Sequence, residues 1–298
     1  MSFTSGLMFR NSGQKKSGQW SVASGQSEDG AGSASEVDRE TAVPDGARIK
    51  TDGKALTNDH WPLTTDFRVV LFDIDGTLIK TVRRGEYRGL IHSMLLEIFG
   101  TCGQISQVDF AGKTDLAIYR EALECEGVTP HQIRERLPLV EAATVEILNH
   151  LASTGEVFRL CSGVRELLDA LAVDPRFLTS LLTGNVEKLA EAKLRVAGIW
   201  DYFKSRGAFG SDHEERNHLP AIAADRINAH LGQSLTPDKF IIVGDTPRDI
   251  YCARHFGARV LAVASGAHTV EQLQQLSPDA VLPDLTDTAS VIRLMARI

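Results

Sequence analysis

The stretch Val69-Val70-Leu71-Phe72-Asp73-Ile74-Asp75-Gly76-Thr77-Leu78 runs from an unbroken apolar segment into two acids and a glycine. An apolar run of this length suits a strand covered on both faces, as in a parallel sheet between layers of helices. The texture returns at Leu178 to Leu182, Phe240-Ile241-Ile242-Val243 and Val260-Leu261-Ala262-Val263, and more weakly at Ala280-Val281-Leu282. Helical patterns fill the intervals. Val164, Leu167, Leu168 and Leu171 share one face, as do Leu189, Ala192 and Val196, and then Ile222, Ala223, Ile227 and Leu231. Strand and helix alternating at this rhythm predict an α/β fold with a doubly wound, Rossmann-like parallel sheet.

One interval breaks the alternation. Between residues 80 and 160 no strand pattern stands out, but Tyr87, Leu90, Ile91, Met94, Leu95 and Ile98 follow the spacing of a one-faced helix. Weaker helical stretches run from Leu116 to Leu123 and from Ile133 to Leu151, the latter interrupted at Pro138. An all-helical insertion over 81–160 is expected, with the α/β core formed by 65–80 and 161–298. Residues 1–64 are rich in Gly and Ser and lack apolar periodicity. Such a segment cannot bury enough surface to offset its ordering entropy, so it is expected to be disordered or an extension without a catalytic part.

Composition narrows the functional classes. Of the 298 residues, 43% are hydrophobic, enough for one sizeable core and a smaller module. A net charge of -7 gives no basic footprint for nucleic acid. Cys102, Cys125, Cys161 and Cys252 are widely spaced and read as reduced thiols, without a disulfide framework or a zinc site. No apolar stretch reaches the length of a membrane helix, and the N-terminus lacks a secretory core. The expectation is a soluble cytoplasmic protein, monomeric or homodimeric, without a nucleic-acid or membrane partner.

The chemistry follows the apolar runs. The first leads into Asp73-Ile74-Asp75-Gly76, the second into Thr183-Gly184-Asn185, and the third into Gly244-Asp245-Thr246-Pro247-Arg248-Asp249. Taken singly, each is an ordinary turn or helix cap. In open α/β sheets, however, ligands bind beyond the carboxyl ends of the strands, so the three would converge on one edge. Acids gathered there repel one another unless a cation lies between them. Mg2+, a hard ion with oxygen ligands, answers that need and attracts phosphate oxygens. Carboxylates are also established covalent nucleophiles.

Asp73 to Leu78, Leu181 to Asn185 and Gly244 to Asp249, in this order, resemble motifs of the haloacid dehalogenase superfamily, over roughly residues 67 to 298. The helical insertion after the first motif is similar to the type C1 cap, and the pattern is nearest the phosphoglycolate phosphatase-like branch. The resemblance implies a Mg2+-dependent phosphatase acting on a small phosphate monoester, phosphoglycolate-like or a sugar phosphate. Asp73 would be the nucleophile and a metal ligand. Asp75 would protonate the leaving alcohol, activate water and give the metal its carbonyl. Thr183 and the Gly184 amide would hold phosphoryl oxygens. Asp245 would ligate the metal, and Asp249 would ligate it or orient a bound water.

The family also places a cation, usually lysine, before the third motif-bearing strand. The stretch Gly210 to Pro220 has no lysine; Arg216 is the candidate, with Lys193 in reserve or else a surface residue. His213 and His218 read as exposed loop residues. Lys113, in Asp109-Phe110-Ala111-Gly112-Lys113-Thr114-Asp115, is a candidate for a substrate carboxylate, while Thr114 or Asp115 suits a helix cap. Asp75, Asp245 and Asp249 argue against dehalogenation. A sugar phosphomutase and a non-catalytic module of the same fold stay as alternatives.

Overall fold

The computed structural model describes residues 67–203 and 205–298; the expectation for residues 1–64 lies outside the described residues. Strand β1 (Arg68–Phe72) leads, after the motif loop, into β2 (Ile79–Thr81). Helices α1 (Arg84–Phe99), α2 (Asp115–Leu123) and α3 (Pro130–Thr154) follow, and β3 (Phe158–Leu160) closes this insertion. The chain then alternates through α4 (Val164–Val173), β4 (Phe177–Leu181), α5 (Glu187–Val196), α6 (Leu219–Leu231) and β5 (Phe240–Gly244). It finishes with α7 (Pro247–Phe256), β6 (Arg259–Val263), α8 (Val270–Gln274), β7 (Ala280–Leu282) and α9 (Thr288–Met295).

All five apolar runs join one sheet, in the order β4-β1-β5-β6-β7, and every pairing is parallel. Val69, Val70, Leu71 and Phe72 are wholly buried because helices cover both faces of β1. Val69 and Leu71 pack with Ile242, Val260, Ile227 and Ile250 in the main apolar cluster. β1 lies between β4 and β5, with Phe72 level with both Leu181 and Val243. The residues that follow these three strands therefore emerge side by side.

Three details differ from the sequence reading. β2 and β3 form a separate antiparallel pair, Ile79 opposite Leu160 and Thr81 opposite Phe158, which carries the chain into and out of the helical insertion. Strands of three residues show too little alternation to be recognised. Helix α3 does not break at Pro138, which lies exposed on its outer side. A Thr129–Gln132 capping box starts the helix, and buried Ile133, Val140, Ile147, Leu148 and Leu151 hold it across the proline. On α5 the buried face comprises Leu189, Ala190, Lys193 and Leu194, whereas Val196 is exposed. All four cysteines are free thiols, with Cys161 and Cys252 buried. Among the described residues no helix is long and apolar enough to cross a membrane.

Candidate active site

Asp73 is the first residue beyond β1, and its amide donates to the Val243 carbonyl at 2.9 Å, so its position is set by the β5 register. Its carboxylate is buried. Arg216 opens a short 3-10 turn, Arg216–His218, just before α6, and is also buried. Its Nη2 donates to Asp73 Oδ1 at 2.9 Å and to Asp249 Oδ1 at 2.5 Å. Among the described residues its Nε has no partner.

Asp245 follows β5. Thr77 Oγ1 donates to Asp245 Oδ1 at 3.0 Å, tying the first motif to the third. Gly76, at φ +94°, lets the chain turn there, and a Cβ on it would lie 2.4 Å from Asp245 Oδ2. Asp249 Oδ2 accepts from Thr246 N at 3.0 Å and Thr246 Oγ1 at 2.7 Å, a capping box at the start of α7.

Carboxylate oxygens of Asp73, Asp245 and Asp249 lie within 4.8 Å of one another, all buried. Burial, opposed by Arg216 and reinforced by the Asp249 charge, pushes Asp73 up to about 7. Burial and the charges of Asp73 and Asp249 push Asp245 up to about 8. One guanidinium does not balance three carboxylates, so the cluster favours a further cation. Hard oxygen donors of this kind suit a divalent ion of the Mg2+ type.

The second acid has different surroundings. The Asp75 side chain is 42% exposed toward the cavity, while its Oδ2 accepts from Asn185 Nδ2 and from Lys193 Nζ, each at 2.7 Å. Among the described residues no hydrogen bond reaches its Oδ1. Thr183 Oγ1 accepts from Asn185 N at 3.2 Å and Asn185 Nδ2 at 2.9 Å, so its own proton is left to donate. Neither Lys193 nor Asn185 is on the surface.

The helical insertion closes against this edge through residues 113–115. The Asp115 amide donates to Gly184 O at 2.7 Å, and Asp115 Oδ2 accepts from Val186 N at 2.8 Å. Thr114 both caps α2, accepting from Ala117 N, and donates to the Glu214 carbonyl. Lys113 pairs with Glu121 and also lines the cavity. That cavity, about 350 Å³, is bounded by Asp73, Asp75, Thr183 and Asp245 below and by Arg84, Tyr87, Arg88 and Phe110 above.

Asp73, Asp75, Thr183, Gly184, Arg216, Asp245, Asp249, Lys113 and Lys193 thus all border one cavity or its floor. Arg216, rather than Lys193, stands on Asp73; Lys193 stands on Asp75. His213 and His218 lie with tilted rings whose centres are 4.2 Å apart; His218 is exposed as expected, whereas His213 is half-buried. Asn185, Tyr87 and Asp115 were given no site role from sequence. Asn185 carries a signal as the third residue of Thr183-Gly184-Asn185, and Asp115 lies in the stretch Asp109 to Asp115; Tyr87 reaches the site because the insertion folds back.

A HAD-hydrolase-like family model matches residues 217–288. Pyrophosphatase PpaX of Halalkalibacterium halodurans is 26% identical over 241 residues, covering 78% of this chain and 100% of that protein. A phosphoglycolate phosphatase of Nitrosospira multiformis is 25% identical, over 78% of this chain and 98% of its own length. Among solved structures, a predicted phosphoglycolate phosphatase from Haemophilus somnus 129pt superposes with a TM-score of 0.54 at 20% identity, over 76% of this chain and 99% of that one. CbbY from Rhodobacter sphaeroides, in complex with phosphate, gives 0.53 at 16% identity, over 74% of this chain and 96% of its own. With the parallel sheet and the three acid-bearing strand ends, these matches make the chain similar to hydrolases of the haloacid dehalogenase type, phosphoglycolate phosphatases among them.

Proposed function

We propose that the chain hydrolyses a small phosphate monoester, phosphoglycolate-like or a sugar phosphate, through an aspartyl phosphate on Asp73, with Mg2+ as cofactor. The observation that carries this reading is the pairing of two carboxylates two residues apart, each with its own buried cation: Asp73 with Arg216, and Asp75 with Lys193. The curated relatives, named as a pyrophosphatase and a phosphoglycolate phosphatase, agree with phosphoryl chemistry.

In the first step an Asp73 carboxylate oxygen bonds to phosphorus, the ester P–O bond breaks, and Asp75 gives its proton to the departing oxygen. In the second, water bonds to phosphorus and passes a proton to Asp75, while the Asp73–phosphorus link breaks and inorganic phosphate leaves. Thr183 donates its free hydroxyl proton to a phosphoryl oxygen, and Arg216 keeps Asp73 aimed. Asp73, Asp245 and the Asp75 carbonyl would hold Mg2+, which supplies positive charge for the phosphoryl oxygens. Asp249, whose two oxygens already serve Arg216 and Thr246, suits the role of orienting these groups. A cavity of about 350 Å³ takes a small metabolite, and its roof of Arg84, Arg88 and Phe110 would read the leaving group.

The test is phosphate release from a panel of phosphoglycolate, sugar phosphates and aryl phosphates, with and without Mg2+, beside Asp73→Asn. Metal-dependent release that the substitution abolishes is expected. A folded wild type that releases nothing with Mg2+ would turn the reading toward a mutase or a non-catalytic module.

A further inference from the structure

Lys193 lies on the second turn of α5, and only 4% of its surface is exposed. Removing an ammonium from water costs several kcal/mol unless its donors are all met. Here two hydrogen bonds and an aromatic face surround it. One goes to Asp75 Oδ2 and one to Asn185 Oδ1, both at 2.7 Å, and the ring of Tyr87 faces the ammonium with its centre 5.9 Å away. Both hydrogen bonds point away from Asp73, where Arg216 already stands. The two buried cations therefore serve different carboxylates.

The same contacts restrict Asp75. Its Oδ2 is held by two donors from the Thr183 to Lys193 segment, which leaves Oδ1 as the oxygen open to the cavity. The contacts also reach the helical insertion. Tyr87 belongs to α1, and Asp115, whose charge faces Lys193, belongs to α2 and is bonded to Val186 at the start of α5. Seating of the insertion and the orientation of Asp75 thus meet at one side chain.

We propose that Lys193 is a positioning residue for proton transfer: docked beneath Tyr87 and Asp115, it turns Asp75 so that Oδ1 meets the leaving-group oxygen. The proposal rests on Asp75 being the proton carrier of the phosphatase reaction. It makes Lys193 dispensable in the first step for substrates whose leaving group departs without a proton, and it separates this role from that of a phosphate clamp, which every substrate needs.

The experiment compares kcat/KM for the best alkyl monoester of the panel with that for p-nitrophenyl phosphate, whose nitrophenolate leaves unprotonated, in wild type and Lys193→Met. kcat/KM reports the step in which the leaving group departs. The expected result is a loss of about a hundredfold on the alkyl ester, the scale of general acid catalysis, and a much smaller loss on the aryl ester. Equal losses on both esters would overturn the assignment in favour of a clamp or a purely structural pair, as would no loss on either. If Lys193→Met does not fold, Lys193→Gln, which keeps a polar group without burying a charge, is read by the same ratio. A wild type inactive on both esters would instead overturn the phosphatase reading itself, and the role of Lys193 with it.

Discussion

A methyl group added to Gly184 would stand 1.9 Å from the Lys113 carbonyl oxygen and 2.8 Å from its carbon. Both atoms are backbone, so neither can swing aside. Residues 113–115 approach the Thr183 loop this closely to form the Asp115 to Gly184 hydrogen bond. The Gly184→Ala substitution must therefore displace either the insertion or the loop carrying Thr183. A shift near 1 Å in a positioning group costs up to about a hundredfold in rate. The expected outcome is a fall in kcat/KM of at least about tenfold with the fold retained. Gly89→Ala is the control, since a Cβ at Gly89 meets nothing within 4 Å. Steady-state kinetics and far-ultraviolet dichroism of both variants check this. At the same scale, Lys193 explains why a single helix pattern misleads. Reading Leu189, Ala192 and Val196 as one face turns Lys193 toward solvent, but the helix buries Leu189, Ala190, Lys193 and Leu194. Lysine inside is tolerated because Asp75 and Asn185 wait there, and no local sequence rule states that.

Helix α3 shows the element at odds with one of its residues. Proline inside a helix removes a hydrogen bond and crowds the preceding turn, at about 3 kcal/mol relative to alanine. Pro138 is exposed, so it makes no compensating burial of its own. The helix persists because seven residues on its other face are buried, Ile133 to Leu151. Pro138→Ala is expected to raise the unfolding free energy by about 1–3 kcal/mol, read from the urea midpoint at an unchanged slope. An unaltered midpoint would mean that the turn before Pro138 has already relaxed around it. The strand pair β2–β3 is the counterpart at the entrance: three residues each, outside the five-stranded sheet and invisible to periodicity. Its position is dictated by the need to return the chain at Phe158 beside Thr81.

At the scale of the whole molecule, the site stores electrostatic conflict that a bound cation would relieve. Asp73 and Asp245 sit at about 7 and about 8, above the ordinary carboxylate range near 3.8, because they are buried together. The folded protein therefore holds protons that the unfolded chain releases. Their contribution to stability is full below the unfolded value and is lost as pH rises through about 7 and 8. Metal binding needs the ionised carboxylates, so it strengthens over the same interval. Without metal, the thermal midpoint should decline between about pH 5 and pH 8, and the increase on adding saturating Mg2+ should be larger at the upper end. Calorimetry at both ends checks this, and a Mg2+ increase that is greatest in acid would contradict the cluster as the binding site. The sequence by itself determined the parallel sheet, because short apolar runs alternating with one-faced helical patterns suit strands buried between two helical layers, and it marked the edge where Asp73, Thr183 and Asp245 emerge. Only the tertiary structure decided that Arg216 reaches Asp73, that Lys193 turns inward to Asp75, and that Asp115 seals the insertion onto the Thr183 loop. Those contacts join residues 71 to 143 positions apart, and their geometry depends on how helices pack across the sheet, which local periodicity does not encode.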